Sequence, residues 1–316
     1  MSITKSPRVT VAIPNWNGAR FLPSCLDSLR AQTFRKFDVV IVDNGSTDES
    51  LELLARNYAE VRLVRWAANR GVAAAFNEGV RQCRGEMLAL LNNDMELDPG
   101  WLQALVDALD ADPSAGAAAA KILFIDRKTI NSAGDLYRRD GVPGNRGVHE
   151  VDEGQYDRSE YVFGASGGAS LFRRRLFDEI GFFDERLVSY CEDVDWAWRM
   201  QLAGYRCLYV PDAVAYHWGS ATGGGALASY YCGRNFIRVL LKNLPASVLR
   251  RHWGAILGRE LGLALEALRH GREPAARARL AGQWAGVRSI PEALRQRRWT
   301  MSMKRVSDDY IESLLA

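Results

Sequence analysis

Three short apolar runs, residues 8–14 (RVTVAIP), 37–42 (FDVVIV) and 86–91 (EMLALL), each break off into asparagine or aspartate, with helical patterns between them. Runs that are apolar on both faces suit strands of a parallel sheet covered by helices on each side. After the first run Leu22, Leu26 and Leu29 recur at spacings of four and three, the period of a helix burying one stripe. After the second, Ser46, Thr47 and Asp48 offer N-cap side chains to a helix through Leu51, Leu53 and Leu54. A third strand over 61–66 and a helix over 72–81 continue the alternation. The pattern specifies an α/β fold with a mostly parallel sheet.

In such sheets ligands bind just outside the carboxyl ends of the strands. Asn15, Asn17, Asp43 and Asp94 all fall at such ends, on one rim. Any one of them alone would read as a turn former; three strands ending this way mark the rim as a site. No GxGxxG follows the first strand and no GKS or GKT occurs, so a dinucleotide-dependent oxidoreductase and a P-loop NTPase are poorly supported.

Residues 126–160 are irregular, Gly- and charge-rich, and carry no period. Residues 164–170 (GASGGAS) are small enough to let backbone approach a ligand. A helix over 173–180 precedes residues 191–199 (CEDVDWAWR), where a helix would pair Asp195 with Arg199 at i,i+4 as a structural ion pair. A strand over 206–210 and the segment AYHWGS close the domain.

Five scattered cysteines without a CxxC pair point to reduced thiols and a cytoplasmic protein. The N-terminal residues lack the apolar core of a signal peptide. No run reaches the roughly 18 apolar residues of a membrane span. The net charge of +3 hides an asymmetry: residues 246–305 hold 13 Arg/Lys against 4 Glu. There Trp253, Ile256, Leu257, Leu261, Ala264 and Leu268 share a helical face, with Arg251, Arg259 and Arg269 off it and Glu260 intruding. Further on, Arg295, Arg297, Arg298, Lys304 and Arg305 surround Trp299, Met301 and Met303. This pattern fits a helix on an anionic membrane surface, with peripheral attachment at the inner face of the cell membrane. Packing on the catalytic domain, or in a homodimer, is the competing expectation. No nucleic-acid partner is expected. The organisation expected is a catalytic domain over 1–245, divided near residue 112, and a basic amphipathic helical extension over 246–316.

The segments IPNWNG, VDNGSTDES, NRGVAAAFNEG, LLNND, GASLFRR, GFFDE and EDVDWAWR, followed by HWGS, resemble glycosyltransferase family 2 in kind and order. The resemblance is to its bacterial rhamnosyltransferase-like branch and covers roughly residues 8–242. It implies a GT-A fold and inverting transfer from a nucleotide-diphosphate sugar, dTDP-rhamnose being favoured over UDP-linked donors. The acceptor implied is a saccharide or a polyprenyl-diphosphate-linked saccharide of cell-wall or surface polysaccharide. Asp43 would accept from the pyrimidine imide, with Pro14, Asn15 and Asn17 beside it. Asn69, Arg70 and Asn77 would line the donor cleft. Asn92, Asn93 and Asp94 stand at the DxD motif, from which Asn92 departs at its first acidic position. Asp94 and His217 would hold Mn²⁺ or Mg²⁺. Asp193 would be the catalytic base, with Glu192 beside it. Gly167, Gly168, Trp196 and Arg234 would face the acceptor, and Tyr230, Tyr231 and Asn235 belong to the same downstream match.

Two other functions share the pattern. A non-catalytic sugar- or lipid-binding protein would keep the fold without Asp94, Asp193 and His217, all of which are present. A nucleotidyltransferase would want a basic Gly-rich loop after the first strand, where Asn15-Trp16-Asn17-Gly18 stands instead.

Overall fold

The computed structural model describes residues 7–219 and 224–316; Ser220 of the HWGS match lies outside them. Strand β1 (Val9–Asn15) leads to helix α1 (Leu22–Arg30), β2 (Phe37–Asp43) to α2 (Ser50–Asn57), and β3 (Arg62–Arg65) to α3 (Val72–Gln82). β4 (Met87–Leu91) turns through Asn92-Asn93-Asp94 into β5 (Met95–Leu97), followed by α4 (Trp101–Ala111) and β6 (Ala115–Phe124). The aperiodic region forms β7 (Ile130–Ser132), β8 (Asp135–Tyr137), β9 (Pro143–Asn145) and β10 (Glu160–Val162). Then come β11 (Ala169–Arg173), α5 (Arg175–Ile180), α6 (Glu192–Leu202) and β12 (Arg206–His217). The chain ends in α7 (Gly225–Asn243), α8 (Ala246–Arg269), α9 (Pro274–Arg288), α10 (Ile290–Ser302) and α11 (Asp308–Ser313).

The sheet runs β10-β12-β6-β11-β4-β1-β2-β3. Its β3-β2-β1-β4 half is parallel, with Asn15 level with Asp43. Alternation along each strand divides the core into two layers. Val9, Val11 and Ile13 of β1 face one layer with Leu22, Leu26 and Leu29 of α1 and Trp101 of α4. Ala12 faces the other, with Ala73, Phe76 and Val80 of α3 and Trp196 of α6. The period of two thus fixes which side chains each helix layer covers.

Two elements depart from propensity. β6 (AGAAAAKILF) has a helix former's composition, yet it is a strand because it lies between β11 and β12 with both faces covered. Small residues are what fit there: a Cβ at Gly116 would meet Leu176 at 2.5 Å. β12 continues past Pro211, where a pattern reading would stop it, because the ladder slips between Val210 and Val214 and absorbs the proline in a bulge.

A third cluster joins Trp198 and Leu202 of α6 to Val239 and Leu240 of α7, Val248 and Ile256 of α8, and Ile311 of α11. Beneath it the Lys242 ammonium meets Asp184 at 3.0 Å and Asp195 at 2.9 Å, while Asn243 Nδ2 donates to Asp195 at 2.8 Å. Arg199 pairs with Asp195 at 3.1 Å, so that pair is part of the frame that seats the C-terminal helices. The six residues expected on one apolar face of α8 divide: Ile256 is buried, whereas Trp253, Leu257, Leu261 and Leu268 are exposed.

Candidate active site

A cleft of about 490 Å³ opens at the carboxyl rim of the sheet. Its floor is a chain of amides. Asn93 Nδ2 donates to Asn15 Oδ1 at 2.8 Å, and Asn15 Nδ2 donates to Asp43 Oδ1 at 3.0 Å. Gly18 makes room for this contact, since a Cβ there would lie 2.1 Å from Asn93 Nδ2. Pro14, Asn44, Asn69, Asn92 and Asp94 complete the wall.

β5 pairs antiparallel with the end of β12, placing His217 opposite Met95 and therefore beside Asp94. His217 Nε2 stands 3.3 Å from Asp94 Oδ2. Asp94 Oδ1 and His217 Nδ1 are both buried without a hydrogen-bond partner. Among the described residues no group of three or more His, Cys, Asp or Glu converges on one point. A carboxylate and an imidazole side by side, each with a buried atom lacking a partner, are ligand types that suit a divalent ion taking its remaining ligands from phosphate oxygens and water.

The other wall carries carboxylates. α6 begins at Glu192, and Asp193 Oδ2 accepts from the Gly167 amide at 3.0 Å while its Oδ1 accepts from the Val194 amide at 2.8 Å. Gly167 is small because a Cβ would press on Phe76 at 2.9 Å; Gly168, beside it, lines the cleft as well. Burial, with the Asp193 charge next to it, pushes the Glu192 carboxyl up to about 8. Burial also raises Asp193, against two backbone N–H donors that favour its charged form. The folded state therefore holds a proton on Glu192 that an unfolded chain releases near the usual 4.5. Stability from this group is full below that value and falls as pH rises towards 8. Thermal denaturation followed from pH 5 to about pH 9 should show a steeper decline for the native protein than for Glu192→Gln, with the variant the more stable at the alkaline end. Parallel curves would contradict the buried, protonated state.

Six residues expected to touch ligands do not line the cleft. The Asn17 carboxamide accepts from the Thr47 amide at 2.8 Å and closes the loop after β1. Asp43 is buried behind Asn15, its second oxygen taken by the Ser46 amide at 3.1 Å. The Arg70 guanidinium lies over Trp66, 4.7 Å from the ring centre. Asn77 pairs with the Phe183 backbone, giving to its carbonyl at 3.0 Å and taking from its amide at 2.9 Å. Trp196 is buried in an aromatic cluster, 4.8 Å from Phe177, with its indole N–H on the Gly181 carbonyl. Arg234 donates to the carbonyls of Arg186 and Leu187 at 2.7 and 2.8 Å.

That last placement reveals a clamp. Asn235 Nδ2 reaches the carbonyls of Leu187, Ser189 and Tyr190 at 3.1, 3.0 and 2.7 Å. The segment it holds contains Val188, Tyr190 and Cys191 at φ of 68°, 66° and 69°. A left-handed, β-branched Val188 costs about 1–3 kcal/mol. The strained segment leads directly into Glu192 and Asp193 and is fixed from α7. Asp135 of β8 also lines the cleft, with a buried, unpartnered Oδ1 and a carboxyl raised by burial and by Asp193. It comes from the aperiodic region, where only the lone acid in NSAGD signalled it.

Residues 10–181 match the family model described as Glycosyl transferase family 2. The chain is 34% identical over 222 residues to the N-acetylglucosaminyl-diphospho-decaprenol L-rhamnosyltransferase of Mycobacterium tuberculosis, covering 63% of this chain and 72% of that protein. It is 30% identical over 227 residues to the O-antigen biosynthesis protein RfbC of Myxococcus xanthus, covering 69% of this chain but only 18% of that much longer one. The crystal structure of GalNAc-T7 with UDP, GalNAc and Mn²⁺ superposes with a TM-score of 0.60 at 19% identity, over 74% of this chain and 48% of that chain. The fold is that of the GT-A glycosyltransferases. With its rim of amides, its Asp94–His217 pair and its carboxylate wall built on that fold, the chain belongs to glycosyltransferase family 2.

Proposed function

We propose that the protein transfers a sugar, rhamnose from dTDP in the first instance, onto a saccharide or lipid-linked saccharide acceptor with inversion at the anomeric carbon. One observation carries the reading: a carboxylate pair, the buried Glu192 and the half-buried Asp193, lines the same cleft as an Asp94–His217 pair with unsatisfied ligand atoms. The rhamnosyltransferase relative supports the sugar, and the Mn²⁺ and UDP bound to GalNAc-T7 support a metal-assisted nucleotide donor.

Asp94 and His217 would hold the divalent ion, which, when bound, neutralises charge on the departing diphosphate. Asn69 and Asn92 would present amides to the donor from the rim, above the floor that Asn15 and Asn93 form. The Asp193 carboxylate would take the proton of the attacking acceptor hydroxyl. Its two backbone donors keep it the charged member of the pair, while Glu192, protonated near pH 7, can donate a hydrogen bond. The clamp at Asn235 would hold both at the angle the attack requires.

Donor choice is tested by thermal shift with dTDP-, UDP- and GDP-linked sugars in the presence of Mn²⁺. A ligand at about 100 times its Kd stabilises by about 2.7 kcal/mol, so dTDP-rhamnose should raise the melting temperature by several degrees. A larger shift with UDP- or GDP-sugars would reassign the donor.

A further inference from the structure

Helix α8 carries an uncovered apolar ridge. Trp253, Leu257, Leu261, Leu265 and Leu268 are 63%, 48%, 55%, 55% and 62% exposed. Their spacing of four, four, four and three keeps them within one third of the helix circumference. Val248, Ile256 and Ala267 on the inner side are buried, so the helix is anchored while its outer face meets solvent. A contiguous patch of this kind marks an interaction surface.

The rim of the ridge is basic. Arg250, Arg251, Arg269 and Arg272 are exposed. Arg251 reaches Glu312 at 3.4 Å, whereas Arg250, Arg269 and Arg272 enter none of the ion pairs among the described residues. Glu260, which interrupts the pattern in sequence, accepts from Gln283 Nε2 at 2.7 Å and is withdrawn from the ridge. No helix of the described residues is long and apolar enough to cross a membrane.

We propose that this ridge docks the protein on the surface of an anionic phospholipid bilayer. The helix lies in the headgroup layer, with Trp253 and the leucines entering the acyl boundary and the arginines on the lipid phosphates. Charge selects the occupant: a second copy would bring one arginine rim against another, whereas lipid phosphates complement it. Gly254, Gly258 and Gly262 run beside the ridge with open space around each, a track that would admit another helix closely, so a second copy is the competitor to exclude.

The full-length protein is sedimented with vesicles of phosphatidylcholine alone and of phosphatidylcholine mixed with phosphatidylglycerol. Binding is expected only to the mixed vesicles, with release when salt rises from about 0.1 M to about 1 M and the screening length falls from about 10 to about 3 Å. The exposed double variant Leu257→Glu/Leu261→Glu should bind at least about tenfold more weakly, since it removes two apolar side chains from the acyl boundary and sets two carboxylates against the lipid phosphates. Circular dichroism confirms that the variant folds, and light scattering gives the mass of both proteins. Binding by neither protein, equal binding to both vesicle types, or equal binding by wild type and variant would overturn the proposal. So would a wild-type dimer that the variant reduces to a monomer without any vesicle binding, which would assign the ridge to a second copy.

Discussion

Asp193→Asn should abolish sugar transfer while leaving donor affinity close to wild type. A general base positioned on the attacking hydroxyl contributes about 10²–10⁴ in rate, and the donor complex needs no base. The substitution keeps the size of the side chain but turns one of its two acceptor atoms into a donor. One of the bonds from the Gly167 and Val194 amides is therefore lost. Gly167 lies on the wall of the cleft, so calorimetric donor affinity reports whether that loss disturbs the wall. Turnover reduced by more than about 10²-fold with donor affinity within a few-fold of wild type is the expected pair of results. Retention of more than about a tenth of the wild-type rate would remove Asp193 from the base role.

Asp94→Ala should have the next largest effect, on metal-dependent donor binding. Asp94 supplies an oxygen that is buried and without a partner. Loss of groups that only support metal ligands costs about 10–100-fold in affinity, so loss of a ligand should cost at least that. Donor affinity measured with Mn²⁺ should fall by about 10²-fold or more, and affinity without metal should change little. His217→Ala should move the same quantity in the same direction by a smaller factor. A histidine variant that binds metal and donor like wild type would make His217 a structural partner of Asp94 alone.

How far the sequence discloses this site depends on whether the signal is local. Asn15, Asn93 and Asp94 are visible because a strand that is apolar on both faces and then breaks into a polar residue marks its own carboxyl end. The approach of His217 to Asp94 is not local. It follows from β12 running on through the Pro211 bulge and pairing with β5, which no pattern in residues 206–217 announces. Asp135 is hidden for a related reason: β8 is three residues long and has no period to read.

The misplaced residues share another cause. Trp196, Asn77 and Arg234 lie within a few residues of cleft-lining positions, yet each is turned into backbone or core. The direction a helical residue faces is set by tertiary packing, here the aromatic cluster around Phe177, the Phe183 backbone and the strained segment at Val188. β6 shows the same override for a whole element: its alanines follow a buried sheet position and not their helix propensity.

The central claim, catalysis by a metal-assisted nucleotide-sugar transferase, is tested most directly by release of nucleoside diphosphate. The full chain is incubated with dTDP-rhamnose and a polyprenyl-diphosphate-linked saccharide, with and without Mn²⁺, and the liberated dTDP is measured. Acceptor-dependent release that needs the divalent ion and disappears in Asp193→Asn is the expected result. Donor binding without release under any of these conditions, repeated with UDP- and GDP-linked sugars, would contradict it and leave a sugar-binding protein on a glycosyltransferase fold.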